Sequence, residues 1–300
     1  MEFRPFAVPL ITPFRGVSER RGVLIRGIGP DGGEAWGEYS PFPDYPSTGA
    51  SLWWRAAMEA AHGDWPEPVR DEVAVNSIVP DVEPGEVAPY ATAGGCRTAK
   101  VKVGGRGSSL GRDRARVEAV ARALVEAGGS EARVRVDANG AWGYKEAVQA
   151  VEALDRAARD GGVDGLEYVE QPCRTLEDMA ALRRATEVPI AADESVRLAE
   201  DPLEVVRAEA ADLLILKVAP LGGVRACLEI AERGGIPVVV SSALETSVGL
   251  ASGLALARAL PRLDHAVGLG TARLLQRDTV AHSLIPDGGV LRPIPLEVVV

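Results

Sequence analysis

The sequence predicts an α/β protein, a (β/α)7β-type barrel with an α+β capping domain built from the N-terminal segment and the C-terminal tail. Three observations predict it. From residue 73 onward, short apolar runs alternate with amphipathic helical stretches, the pattern of a parallel sheet. Eight such strands can be read, the number that closes a barrel. The first ~70 residues break this rhythm and read as a β-meander followed by one helix.

The meander consists of "FAVPLITPF", "RRGVLIRGIGP" and "GGEAWGEYSP", joined by Gly and Pro turns. "GASLWWRAAMEAAHGDW" is its helix, packed through Trp53 and Trp54. "VAVNSIVP" opens the barrel series. "CRTAKVKVG" is followed by the helix "RDRARVEAVARALVEAG", "ARVRVDANG" by "YKEAVQAVEALDRAARDG", and "GLEYVEQP" by "LEDMAALRRAT". "VPIAADES" precedes "DPLEVVRAEAA", "DLLILKVAP" precedes "GGVRACLEIAERGG", and "IPVVVSSAL" precedes "TSVGLASGLALARALP". "DHAVGLGT" supplies the last strand. "SLIPDGGVLRPIPLEVVV" has hairpin character and returns to the N-terminal domain. The expected division is 1–70 with 275–300 as the cap and 71–274 as the barrel. The competing fold is an open doubly wound sheet. No GxGxxG follows the first strand, and "GGRGSSLG" (104–111) lacks the ending of a P-loop, so it reads as a plain loop.

A chain of 300 residues has room for one large domain and a small companion. Its formal net charge of −10 excludes nucleic acid and anionic membrane surfaces as main partners. No apolar run reaches the ~18 residues of a membrane span, and the N-terminus has no signal-peptide pattern. Cys96, Cys173 and Cys227 lie far apart with no CxxC, as reduced, buried thiols of a cytoplasmic protein do. A small-molecule substrate is the expected partner.

Charged residues stand where the strands end. Lys102 closes the second strand, Asp137 the third, Glu170 the fourth, Asp193 the fifth and Lys217 the sixth. The separations are 35, 33, 23 and 24 residues, one per βα unit. A barrel gathers such positions into one ring at the C-terminal mouth of its strands, where its active site lies. Alternation puts Lys100 with Lys102, Arg135 with Asp137, Tyr168 with Glu170, and Ala191 with Asp193 on common faces.

Taken singly, each carboxylate reads equally as the cap of the helix that follows. Three at matching positions converge, and converging anions need a cation. Oxygen donors without His or Cys suit a hard ion such as Mg²⁺. Lys102 and Lys217 face each other across that ion, or, more plainly, pair with nearby carboxylates. A buried lysine beside another cation has a depressed pKa and can act as a base near neutral pH. Lys100 is such a neighbour for Lys102. The chemistry served is proton abstraction next to a carboxylate, with the ion stabilising the ene-diolate.

The set "KVKVG", "VDANGAW", "VEQP", "AADES" and "LILKVAP", behind a meander placed like a capping domain, resembles the enolase superfamily in its muconate lactonizing enzyme-like subgroup. The resemblance covers nearly the whole chain. It implies Lys102 as acid and base on one face, Lys217 on the other, and Mg²⁺ on Asp137, Glu170 and Asp193. Within the subgroup the short chain is similar to the o-succinylbenzoate synthases. "GGEAWGEYSPFPDYP" looks like their cap segment, and "VEQPCRTLEDM" and "SSALETSVG" like their fourth and seventh strand segments. "HAVGLGT" lacks the acidic pair with which dipeptide epimerases hold an ammonium group.

That resemblance implies a hydro-lyase of menaquinone biosynthesis. The reaction is the Mg²⁺-dependent syn dehydration of 2-succinyl-6-hydroxy-2,4-cyclohexadiene-1-carboxylate to o-succinylbenzoate. Arg135 and Asn139, flanking Asp137, are expected to support the metal site and substrate. Ser241, Ser242 and the Gly222–Gly223 turn are candidates for the succinyl carboxylate. "PFRGVSERRG" (13–22) is the loop expected over the site, its plainer reading being a surface hairpin. His62, His265 and His282 have no ligand spacing. The alternatives on the same residues are an N-acylamino acid racemase, alone or together with the synthase, another racemase or cycloisomerase of the superfamily, and a ligand-binding barrel without catalysis.

Overall fold

The computed structural model describes all residues except Arg15, Asp44, Pro46 and Arg106. Its N-terminal part is an antiparallel sheet of β1 (Glu2–Phe14), β2 (Val17–Ile28) and β3 (Glu34–Tyr39), covered by α1 (Ser47–His62). The helix lies directly on the sheet because Gly27 and Gly37 leave room for it. A Cβ at either would stand 2.0 or 1.9 Å from the carbonyl oxygens of Ala61 and Ala57. The segment 13–22, expected as a loop over the site, is largely strand. Phe14 and Val17 are register partners, so the connection is a tight hairpin, and Arg15 within it lies outside the described residues.

The barrel series begins with β4 (Val73–Ala74) and β5 (Asn76–Val79), then the short α2 (Ala88–Ala91). It continues with β6 (Thr98–Lys102), α3 (Leu110–Gly128), β7 (Arg133–Asp137), α4 (Tyr144–Asp160), β8 (Leu166–Glu170) and α5 (Leu176–Ala185). Next come β9 (Ile190–Ala192), α6 (Glu194–Arg197), α7 (Glu204–Arg207), β10 (Leu213–Leu216), α8 (Val218–Leu221) and α9 (Val224–Gly234). The series ends with β11 (Val238–Val240) and α10 (Ser247–Ala259), and β12 (Val290–Leu291) pairs back onto β4. Strands β5 to β11 form one parallel sheet in chain order. Its two edges are joined by residues 267 and 268: Val267 bridges Val75, and Gly268 bridges Ser241. The expected eighth strand is therefore present, reduced to two pairing residues.

A helix was expected over 201–211. Only one turn, α7, forms. Glu209, at φ 50, stops it from continuing.

The main core lies between strands and helices, where Val101, Val117, Val136, Leu154 and Leu216 are fully buried. Each such side chain contributes roughly 1.5–3 kcal/mol over leaving it in water. A second cluster, Tyr168, Ala191, Leu213, Ile215 and Val239, fills the barrel interior.

The cap is tied to the barrel by polar contacts at helix starts. Glu38 of β3 accepts from Thr246 N at 3.0 Å, Thr246 Oγ1 at 2.5 Å and Gly249 N at 3.0 Å, so it closes the N-terminus of α10. Glu59 of α1 does the same for α9, accepting from Val224 N at 2.5 Å and Arg225 N at 3.1 Å. The C-terminal tail divides its contacts. Leu275 bridges Leu10 of the cap, and Leu284 and Leu291 join the barrel core.

Candidate active site

The charged ring stems from strand register. Lys102, Asp137 and Glu170 are the last residues of β6, β7 and β8, and they stand side by side: Lys102 pairs with Asp137, and Asp137 with Glu170. Asp193 and Lys217 each follow their strand by one residue. Lys100, Lys102, Asp137, Asp193 and Lys217 line one cavity of about 530 Å³ at this end of the barrel. Glu170, buried and hydrogen-bonded by Lys100, is not among the described lining residues.

Every ammonium group here faces a carboxylate. Lys100 Nζ donates to Glu170 Oε1 and Oε2 at 2.9 and 2.8 Å and is 3.3 Å from Asp137 Oδ2. Lys102 Nζ pairs with Asp137 and donates to Asn139 Oδ1 at 2.9 Å. Lys217 Nζ donates to Asp193 Oδ2 at 2.7 Å, and Arg197 Nε donates to Asp193 Oδ1 at 3.0 Å.

These pairings set the charge states. Burial opposes ionisation of Asp137, but Lys102 and Lys100 outweigh it and hold its pKa down. Asp193 is likewise held down against burial by Lys217 and Arg197. Burial also works against Lys100, yet Glu170 and Asp137 push its pKa up. Glu170 is pushed up as well: burial, then the Asp137 charge, raise it to about 7. Two carboxylates against one ammonium keep Lys100 protonated. Lys100 thus stands as a protonated counter-charge to Glu170, a different posture from the free cationic neighbour expected beside Lys102.

Two loops brace the ring. Gln171, at φ 39, accepts from Asp193 N at 3.0 Å and Ser195 N at 3.1 Å, which fixes the turn after β9. Asn139, at φ 47, points its own N–H to Asp137 Oδ1 at 3.1 Å.

Among the described residues, no three carboxylates stand close enough together to form a ready-made cation cage. Each is turned onto an ammonium or guanidinium instead. The donor set nevertheless fits a hard cation. Asp137, Glu170 and Asp193 are buried oxygen donors on neighbouring strand ends, and Glu194 Oε2 beside them is buried without a hydrogen-bond partner. Burial, then the Asp193 charge, raise the Glu194 pKa.

Other expected residues fall elsewhere. Arg135 is not among the described residues lining the cavity. It is fully buried in the barrel interior, donating to Glu167 Oε2 from Nε at 2.8 Å and to Ala266 O at 2.8 Å, with its guanidinium over the Tyr168 ring. A bulge places Glu167 there: Val134 pairs with Leu166 but Val136 with Val169, one residue more on β8. The half-buried His265 completes this set, 2.8 Å from Glu167. Gly222 and Gly223 also lie off the cavity's described lining. They form the turn on which the cap docks, where Arg55 donates to Gly222 O at 2.9 Å. Ser241 and Ser242 do line the cavity, Ser242 Oγ being 2.8 Å from Thr271 Oγ1.

Phe14 belongs to the segment 13–22 expected over the site, whereas Arg197 and Arg174 had no sequence signal of their own. Phe14, Phe42 and Tyr45 come from the cap. Arg197 follows Asp193 by one helical turn and also donates to Tyr45 Oη at 2.6 Å, joining barrel to cap. Arg174 stands on the rim.

A capped barrel with lysines and buried carboxylates around one mouth is the frame of enzymes that remove a proton next to a carboxylate. Residues 85–295 match the enolase C-terminal domain-like family, and residues 6–61 the enolase N-terminal domain-like family. The chain belongs to the enolase superfamily. It is 54% identical over 291 residues to the o-succinylbenzoate synthase of Thermobifida fusca (strain YX), spanning 97% of this chain and 87% of that one. It is 51% identical over 286 residues to the o-succinylbenzoate synthase of Mycobacterium tuberculosis (strain ATCC 25618 / H37Rv), spanning 95% and 82%. The muconate lactonizing enzyme from Pseudomonas fluorescens shares the fold, with a TM-score of 0.81 at 24% identity over 99% of this chain and 94% of that one.

Proposed function

We propose that the chain is an o-succinylbenzoate synthase, a hydro-lyase acting on a small ring carboxylate. The observation that carries this reading is the extent of identity to synthases, 54% across nearly the whole chain, with both lysines and all three carboxylates present at the strand ends. Three buried free thiols support a cytoplasmic setting, and a place in menaquinone biosynthesis belongs to the same reading.

Asp137, Glu170 and Asp193 would hold Mg²⁺. Bound magnesium supplies the positive charge that makes a proton next to a carboxylate easier to remove. Lys102 Nζ, as the free amine, takes the proton from the carbon that bears the ring carboxylate. The electron pair of that C–H bond first moves onto the ring carboxylate, and it then returns to form the new ring double bond as the C–O bond breaks. Lys102 then gives its proton to the departing hydroxide, which leaves as water from the same face. Lys217, cationic on the opposite face and held by Asp193, balances the negative charge that builds up. Asn139 orients Lys102 through its side-chain oxygen. The cap side chains Phe14 and Phe42 exclude water from the ring.

The test is direct conversion. The purified chain with Mg²⁺ should form o-succinylbenzoate from the cyclohexadiene substrate; absence of product with an intact fold would rule the activity out.

A further inference from the structure

Five cationic side chains are found among the described residues that line the cavity, and four of them face carboxylates: Lys100, Lys102, Lys217 and Arg197. Arg174 is the exception. Its one hydrogen bond is from Nε to Gly140 O, at 3.3 Å, and no carboxylate among the described residues pairs with it.

The side chain is nevertheless held in place. Its loop, after β8, is zipped to the loop after β7. Gly140 N donates to Gln171 O at 2.6 Å, Trp142 N donates to Pro172 O at 3.2 Å, and Trp142 and Cys173 form a bridge. Gly140, at φ 71, lies under the arginine stem, and a Cβ there would stand 3.1 Å from Arg174 Cγ. The stem is thus seated on a glycine, and the residue, itself exposed, lines the cavity.

A substrate with two carboxylates needs two positive sites. The carboxylate next to the reacting carbon belongs at the cation site. The other enters a cavity with apolar walls at Phe14, Phe42, Leu244 and Leu274, where Ser242 is engaged by Thr271 and the neutral Ser241 offers a hydroxyl but no charge. A guanidinium offers a planar fork that matches a carboxylate.

We propose that Arg174 is the docking residue for the substrate's second, succinyl carboxylate, and that it makes the site select dicarboxylates over monocarboxylates. This rests on the synthase reading for the identity of the ligand.

The experiment compares binding of o-succinylbenzoate with that of o-butyrylbenzoate, which lacks the distal carboxylate. Calorimetric titrations with Mg²⁺ present would use the wild type, Arg174→Ala and Arg174→Lys. In Arg174→Ala, o-succinylbenzoate should bind roughly 10- to 100-fold more weakly while o-butyrylbenzoate stays within about twofold, as expected for loss of one charged hydrogen bond. Arg174→Lys should recover part of the loss, and in turnover the loss should fall on KM rather than kcat. Equal weakening of both ligands, or of neither, would overturn the proposal. A wild type that discriminates the two ligands through Arg174 yet forms no product would defeat the synthase reading and leave this subsite standing.

Discussion

Lys100 donates to both carboxylate oxygens of Glu170, at 2.9 and 2.8 Å, with both side chains buried. The pair ties the second barrel strand to the fourth across Asp137. Breaking one partner of a buried ion pair leaves an uncompensated charge, which typically costs about 3–5 kcal/mol. Lys100→Met should therefore destabilise the protein by about that amount without divalent metal. Added Mg²⁺ should restore part of the loss, since the remaining carboxylates then have a cation. Urea unfolding with and without Mg²⁺ measures both, and a variant as stable as wild type would show that the pair does not hold the ring.

Glu38 and Glu59 are cap residues that close barrel helices. Glu38→Ala strips α10 of its partner at Thr246 N and Gly249 N, and Glu59→Ala does so for α9. Helix-cap losses run to about 2 kcal/mol, and a buried donor left unpaired adds a similar amount. Each variant should lower stability by roughly 2–4 kcal/mol. Hydrogen exchange should quicken first at the starts of α9 and α10. Loss of protection confined to β1–β3 would contradict this coupling.

Glu245 makes stability depend on pH. It is buried, and burial together with the nearby Glu38 charge raises its pKa from 4.5 to about 7. The folded state therefore binds this proton more tightly than the unfolded state does. The stability it contributes is complete below pH 4.5, falls as pH rises to about 7, and stays lost above that. At 1.36 kcal/mol per unit, the loss is on the order of 3 kcal/mol. Glu245→Gln should thus gain stability over wild type at pH 8 and little at pH 4.5, still accepting from Ala243 N. Denaturant midpoints at the two pH values give the answer, and equal gains at both would contradict it.

Asp193 is held by Lys217 and Arg197 and serves, in the proposed reaction, as a magnesium ligand. Asp193→Asn should bind Mg²⁺ at least about tenfold more weakly, since one anionic oxygen donor is replaced by a neutral one. Calorimetric titration of the metal alone reads this independently of turnover. Unchanged affinity would remove Asp193 from the ligand set.

The positions of the five charged residues were legible because two local rules determine them. Strand alternation chose the face, and the first turn residue after each strand marked the end. The βα rhythm then placed them at one mouth. What was not legible depends on contacts between distant segments. Arg135 shares a face with Asp137, but only the bulge in β8 brings Glu167 inward to engage it. The Gly222–Gly223 turn looked like a ligand loop, yet its conformation, with φ of 91 and 126, serves docking by Arg55 and Glu59 from the cap. Segment 13–22 is a hairpin by its register partners, the plainer of its two readings, and it reaches the cavity through Phe14. Lys100 beside Lys102 reads as two neighbouring cations, because the sequence does not show that Glu170 engages Lys100 and Asp137 engages Lys102.

The most direct test of the account is turnover by Lys102→Ala. With Mg²⁺ bound and the fold intact by circular dichroism, it should form o-succinylbenzoate at a rate lower by roughly 10²–10⁴-fold or more, the contribution of a positioned acid–base group. Formation of product at near the wild-type rate would show that Lys102 is not the base and that the proposed division of labour between Lys102 and Lys217 is wrong.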